Sequence, residues 1–231
     1  MTNYTQWKSL VDLHEYSAIP DSVMQDWTND ALENWLEEDI ASSSIDDSNV
    51  WIGSESLLLS SSDSGQVYQT DETQIPGRLP VKGESFGVLT YLDGESGYLP
   101  VIGFGIDNIG EDQYRIEWGD RIDEVELSLF EGGSKTTLET AAYSGWRVGW
   151  YYTLTRWHDS DTSNTEDTIE VELYEMDSDD TITDLPTPVV TLDAVDDTHS
   201  EQTGFAQGAN NASDSEDVWH DYPHIRGDAD T

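Results

Sequence analysis

From residue 49 to the end of the chain, apolar side chains return at every second position in short runs broken by turn-forming residues. Alternate side chains of an extended strand point to opposite faces, so this rhythm is that of strands with one buried face. NVWIGSESLLLSSSDSG and QVYQT supply the first three strands, ahead of the turn-rich DETQIPGRLPVKGES. SFGVLTYLDGESGYLPVIGFGID reads as a pair joined at Asp93-Gly94, and DQYRIEWGDRIDEVELSLFEGG as a pair joined at Gly119-Asp120. In the latter, Val125, Leu127 and Leu129 alternate with Glu126, Ser128 and Phe130. KTTLETAAYS, GWRVGWYYTLTRW, DTIEVELYEMD, TPVVTLDAVD, TGFAQGA and DVWHDYPHIRG follow, making about twelve strands at regular spacing. This pattern predicts an all-β antiparallel sandwich or barrel. Residues 1–40 differ, because TQWKSLVDLHEY and PDSVMQDWTNDALENWLEEDI space their apolar residues as short helices do. They are predicted to form an N-terminal arm, either packed on its own domain or docked on another subunit, with the sandwich spanning 41–231.

The stretch GWRVGWYYTLTRW, residues 145–157, is the most aromatic part of the chain. Strict alternation puts Trp146, Val148, Trp150, Tyr152 and Leu154 on one face, which reads as core. Arg147, Tyr151, Thr153, Thr155 and Trp157 then share the other face. In the next strand Ile169, Val171 and Leu173 face one way, and Glu170, Glu172 and Tyr174 the other. Tyr151, Trp157 and Tyr174, beside Arg147 and Arg156, are therefore the candidate ligand residues. Aromatic rings with charged neighbours suit a sugar, whose C–H face stacks while its hydroxyls bond to the rim. The competing reading packs these rings beneath loops or the N-terminal arm.

Charge narrows the setting. Asp plus Glu number 49 against 9 Lys plus Arg, a formal net charge of -40 on 231 residues. A compact body of this length has a radius of about 22 Å, on which forty unscreened charges carry a self-energy of roughly 150 kcal/mol in water. The Debye length falls to about 3 Å in 1 M salt, and the repulsion collapses with it, so the sequence reads as that of a protein of molar salt. Such a charge excludes nucleic acid as a partner, and its spread along a β-periodic chain argues against a mimic of DNA. The absence of Cys excludes disulfides and thiolate chemistry, while nine Trp and eleven Tyr argue against disorder. MTNYTQWKSLVDLHEY has neither a cationic n-region nor an apolar h-region, so no secretory signal is expected there. No run of 18 apolar residues predicts a membrane span.

The pattern formed by Trp150, Tyr151, Trp157, Ile169, Val171, Leu173, Tyr174 and Asp177 resembles the laminin-G, or concanavalin A-like, jelly-roll superfamily, in the acidic form met in haloarchaea and their viruses. ALENW, SLLL, TGFAQGAN and the closing DVWHDYPHIRG add to the resemblance, which covers about residues 25–227. It implies two antiparallel sheets face to face, with ligand bound by the concave sheet or by loops at one rim. Some relatives are glycoside hydrolases, with carboxylates on one strand as Glu-x-Asp-x-x-Glu or Glu-x-Asp-x-Glu. DRIDEVE and EDTIEVELYE do not match, since Asp123 and Glu126 lie three apart and Glu170 and Glu172 lack the middle Asp. The expectation is therefore no catalytic residues and no enzyme activity.

No cofactor is required by these residues. A structural calcium is the metal the resemblance suggests, with Asp217 and Asp221 as donors. His220 and His224, four apart around Pro223, are a poor zinc pair. The sequons at Asn3 and Asn211 matter only in an exported protein. Together these readings point to a structural protein at the surface of a haloarchaeal virus: a capsid decoration, turret or tail-fibre component. The arm would contact other virion proteins, self-association would give a homo-oligomer, and a host-surface glycan would be the external partner. The alternatives are a carbohydrate-binding or adhesion protein at the surface or in the cytoplasm of a halophilic archaeon, and a glycoside hydrolase.

Overall fold

The computed structural model describes residues 23–25, 27, 31–38, 43–60, 65–70, 77–93, 99–108, 111–119, 122–160, 167–210 and 217–229. A 3-10 turn at Ala31–Asn34 precedes fourteen strands among these residues. They are β1 (Leu36–Glu38), β2 (Ser43–Asp46), β3 (Ser56–Ser60), β4 (Gly65–Gln69), β5 (Glu84–Leu92), β6 (Pro100–Asn108), β7 (Asp112–Gly119), β8 (Glu124–Glu131), β9 (Ser134–Ala142), β10 (Gly149–Trp157), β11 (Thr168–Met176), β12 (Val190–Val195), β13 (Gly204–Ala209) and β14 (Asp217–Asp228). Sheet I has the order β1-β4-β13-β6-β7-β8-β9, and sheet II the order β12-β11-β10-β5-β14-β3-β2. The strand pairs of both are antiparallel, so the predicted sandwich is the observed architecture.

The main core lies between the sheets. Sheet I sends in Val67, Phe104, Tyr114, Ile116, Trp118, Val125, Leu127, Leu129 and Phe205, and sheet II answers with Phe86, Val88, Ile169, Val171, Leu173 and Val218. Phe86, Phe104 and Phe205 meet edge to face with centroids 5.2 and 6.0 Å apart, the geometry that the ring quadrupole favours. The β7–β8 hairpin forms where turn residues predicted it, with Trp118 opposite Val125. The Asp93-Gly94 hairpin does not form: β5 pairs with β10 and β14, and β6 with β13 and β7. The connection after Leu92 passes from one sheet to the other, because both strands need partners whose apolar faces oppose theirs.

The last part of the segment suggested as an arm contributes to the sandwich. Met24, Trp27 and Trp35 are buried in the main core, Val23 bridges to His224, and β1 pairs with β4. The helices expected within residues 1–22 and the sequons at Asn3 and Asn211 lie outside the described residues. No helix among the described residues is long and apolar enough to cross a membrane.

Two buried histidines brace sheet II from opposite sides. Inside, His220 Nε2 donates to the Gly208 carbonyl of sheet I at 2.9 Å, leaving Nδ1 to accept from Thr90 Oγ1 at 3.1 Å. On the outer side, His224 Nδ1 donates to the Tyr222 carbonyl at 2.9 Å and Nε2 accepts from the Tyr152 hydroxyl at 3.1 Å. Each ring is thus committed as the neutral form, and the pair cannot share a metal. Burial pushes both down to about 4, with Arg226 adding to the effect at His224. Between pH 6.5 and 4 the unfolded chain therefore binds protons that the folded chain does not, so stability falls as pH falls. By pH 5 the loss should be about 2 kcal/mol per histidine, while most carboxylates are still ionised. Thermal unfolding in molar salt should show a melting temperature dropping from pH 7 to pH 5, and a His220→Gln, His224→Gln double variant should flatten that slope.

Candidate functional site

Strand β7 alternates cleanly: Tyr114, Ile116 and Trp118 enter the core, which turns Gln113, Arg115 and Glu117 onto the outer face of sheet I. Beside them β8 presents Glu126 and Ser128, and β9 presents Lys135 and Thr137. Glu117 and Glu126 are direct partners across the ladder. Lys135 Nζ stands between them, 2.7 Å from Glu117 and 2.9 Å from Glu126. Arg115 reaches the other oxygen of Glu117 at 2.7 Å, and Asn210 donates to it at 2.8 Å. Glu126 also accepts from Ser128 at 2.7 Å and Thr137 at 2.5 Å. Side-chain exposure falls from 36% at Lys135 through 10% at Glu126 to 3% at Glu117, and Gln113 is fully buried. The face is deepest over β6 and β7 and opens toward the β9 edge.

Buried charges need partners, and these have them. Burial pushes Glu117 upward, but the Arg115 guanidinium, Lys135 and the Asn210 amide together hold it below the ordinary carboxylate range. Glu126 is likewise held low against burial by Thr137, Lys135 and Ser128. Burial lowers Lys135, yet its two carboxylates outweigh that and raise it. Glycoside hydrolysis needs one carboxyl group that carries a proton to the leaving oxygen. Two carboxylates both stabilised as anions, with an ammonium between them, do not provide it. At the hydrolase spacing on β7 stand Gln113, Arg115 and Glu117, an amide and a guanidinium where the resemblance would require carboxylates.

Next to the ion network, hydrogen-bonding capacity is left over. Gln113 Nε2 and Oε1, Gln66 Oε1 and Arg115 Nε are buried without a partner. They come from β4 and β7 and converge over β6. A Cβ on Gly103 would stand 2.7 Å from Gln113 Oε1 and 3.1 Å from Gln66 Oε1, so the amides close over bare backbone. Flipping the Gln113 amide leaves the tally of two donors and two acceptors unchanged, whereas flipping Gln66 makes it three donors and one acceptor. Each such atom costs about 1–3 kcal/mol when left unmet. These four atoms lie beneath the surface of the face, so the hydroxyls of a ligand, each able to donate and accept, would meet them only once the covering side chains part.

The five residues predicted as a sugar site are not brought together. Tyr151 and Trp157 are fully buried between the sheets, the reverse of the facing that alternation suggested. Trp146 lies before the strand and stacks on Trp118 at 5.7 Å, and Gly149 at φ 150° turns the chain into β10, so a count begun at Trp146 enters the strand out of phase. Trp150, Tyr152 and Leu154 occupy the outer face of sheet II, where Tyr174, Met176, Ile182 and Tyr222 form a second apolar cluster with them. Tyr174 and Arg156 are on that outer face, both bound to Glu172 at 2.7 Å. Arg147 is held at the strand start, where its backbone N–H donates to the Tyr151 hydroxyl and its guanidinium pairs with Glu175 and Asp177. Asp217 and Asp221 lie about 13 Å apart along β14, too far to share one cation. Asp221 already accepts the Trp51 and Ile52 N–H groups at 2.8 Å each. Among the described residues, no group of three His, Asp or Glu side chains converges to hold a metal.

No family model matches the chain, and no curated protein matches it. Solved structures do. A GH16 protein of the Bacteroides ovatus mixed-linkage glucan PUL, in complex with a G4G4G3G product, aligns at TM-score 0.55 and 12% identity over 90% of this chain and all of that one. The fold is a concanavalin A-like jelly roll. The CBM2 module of Lactobacillus casei BL23 phage J-1 evolved Dit aligns at TM-score 0.50 and 8% identity, over 89% of this jelly roll and 94% of that chain. Botulinum neurotoxin type C, whose cell entry depends on interaction with two ganglioside molecules, aligns at 0.52 and 13% over 93% of this chain and 49% of its own. At such identities the likeness is one of fold.

Gln113, Arg115, Glu117, Glu126 and Lys135 were not singled out from sequence. The signal was present in DQYRIEWG, where Gln113, Arg115 and Glu117 alternate with Tyr114, Ile116 and Trp118 and so share one face.

Proposed function

We propose that this jelly roll is a non-enzymatic glycan-binding domain of a haloarchaeal virus particle, exposed at the virion surface as a decoration, turret or tail-fibre component. The observation that carries the glycan reading is the unmet set of two donors and two acceptors from Gln113, Gln66 and Arg115 over Gly103. The ion network of Glu117, Glu126 and Lys135 holds Arg115 in place, which limits the entropy that side chain loses on binding. The similar structures whose descriptions mention a glucan product, gangliosides or a phage support the same direction. The virion setting rests on the acidic surface and the family resemblance.

Binding is tested by calorimetry in molar NaCl against a panel of neutral oligosaccharides. The wild-type protein should bind at least one. Gln113→Leu, which replaces orphaned amide atoms by an apolar group of similar shape, should preserve or raise the melting temperature while weakening binding about tenfold or more. Unchanged affinity in that variant, or no binding by the wild type across the panel, would sink the reading. The virion assignment is checked separately, by mass spectrometry of purified particles.

A further inference from the structure

The outer face of sheet II is closed over most of its area, where Val23, Ile52, Ile182 and Leu185 cover Leu89, Tyr152, Leu154 and Tyr222. At the end where β5 finishes and β10 begins, the cover thins and a row of four rings remains, three of them partly exposed and the fourth, Trp219, buried at 5% exposure. Trp51, Trp150, Tyr91 and Trp219 follow one another with centroids 5.7, 5.3 and 5.7 Å apart. Trp51, Trp150 and Tyr91 are partly exposed. We propose that this row is a second glycan site, which takes a single neutral oligosaccharide chain on the face opposite the Gln113 cluster.

The rings are held before any ligand arrives. Asp221 grips the loop that carries Trp51 through two backbone N–H groups, and Trp219 Nε1 donates to Asp46 at 3.0 Å. Trp150 and Tyr91 sit opposite each other in the central ladder. Preorganised aromatic surface binds with little loss of side-chain freedom. Neighbouring rings are inclined by 65°, 56° and 75°, so they offer no single flat platform of the kind a crystalline polysaccharide face needs.

The surroundings select the occupant. Asp46 borders Trp219, and Asp93 and Asp217 stand at the strand ends beyond Tyr91 and Trp219. These carboxylates accept hydrogen bonds from sugar hydroxyls without charge repulsion, while pyranose C–H faces stack on the rings.

This site draws on the glycan reading but rests on different residues, and the test separates the two. Full-length protein in molar NaCl is titrated with gluco-, manno- and galacto-oligosaccharides, read by calorimetry and tryptophan fluorescence. Trp150→Ala should weaken one class of binding about tenfold or more and remove its fluorescence change, whereas Gln113→Leu should leave that class intact. Trp150→Phe should retain most of it, and Tyr91→Ala repeats the test if Trp150→Ala does not fold. Saccharide binding unaltered in folded Trp150→Ala and Tyr91→Ala overturns the proposal. So does a Trp150-dependent dimer, or Trp150-dependent binding of polylysine, without saccharide binding. Loss of sugar binding in Gln113→Leu alone would support the Gln113 cluster and sink this site.

Discussion

Transfer from molar salt into a buffer of a few millimolar ionic strength should unfold this protein cooperatively. The anionic shell is built into the architecture: Glu33, Asp47, Asp93, Glu111, Glu131, Asp179, Asp184, Asp197 and Glu201 are exposed on turns, loops and strand ends. Among the described residues, all the lysines and arginines except Arg226 are already engaged. Arg78, Lys82, Arg115, Lys135, Arg147 and Arg156 each pair with one or two carboxylates, and the excess is left to counter-ions. As the Debye length grows from about 3 Å at 1 M to about 30 Å at 0.01 M, charges across the whole body begin to repel one another. An expanded coil relieves that repulsion, and a stability of about 5–15 kcal/mol is small beside it. Near-ultraviolet circular dichroism and tryptophan emission during stepwise dialysis would read the transition, and restored salt should reverse it. A fold that persisted in nearly ion-free buffer would show that the packed core alone suffices.

Trp157→Ala should cost about 3–5 kcal/mol and lower the melting temperature on the order of 10 °C. The ring is fully buried, lies edge-on to Phe104 at 5.3 Å and Tyr114 at 5.8 Å, and its residue's carbonyl accepts the Gly83 N–H. Its removal leaves a cavity between the sheets. Saccharide affinity of the folded fraction should not change, because Trp157 faces neither outer surface. A Trp157→Ala protein with wild-type stability and weakened sugar binding would instead restore the facing that simple alternation suggests.

The reversal at β10 shows where sequence reading loses its footing. Period two identifies a strand, but it assigns faces only when one face is polar. In β10 both are buried: Tyr151 and Trp157 meet sheet I with Thr153 and Thr155 between them, while Tyr152 and Leu154 are covered by loops from residues 51–52 and 182–185 and Trp150 sits where that cover ends. Nothing in the strand itself says which cover is a sheet and which is a loop. In β7, by contrast, Gln113, Arg115 and Glu117 alternate with Tyr114, Ile116 and Trp118, and the facing is legible. Its significance was not, since an ion network needs Glu126 and Lys135 from neighbouring strands.

What the sequence alone determined was the all-β class, the antiparallel β7–β8 hairpin and the alternating core positions of β8 and β11. These follow from local periodicity and composition, which every stretch of chain carries within itself. Tertiary structure decided that Leu92 leads from one sheet to the other, which side of β10 is interior, and that the Gln113 and Gln66 amide oxygens meet over Gly103. Those outcomes depend on which strands become neighbours, and strand pairing across long loops is set by the packing of the whole sandwich.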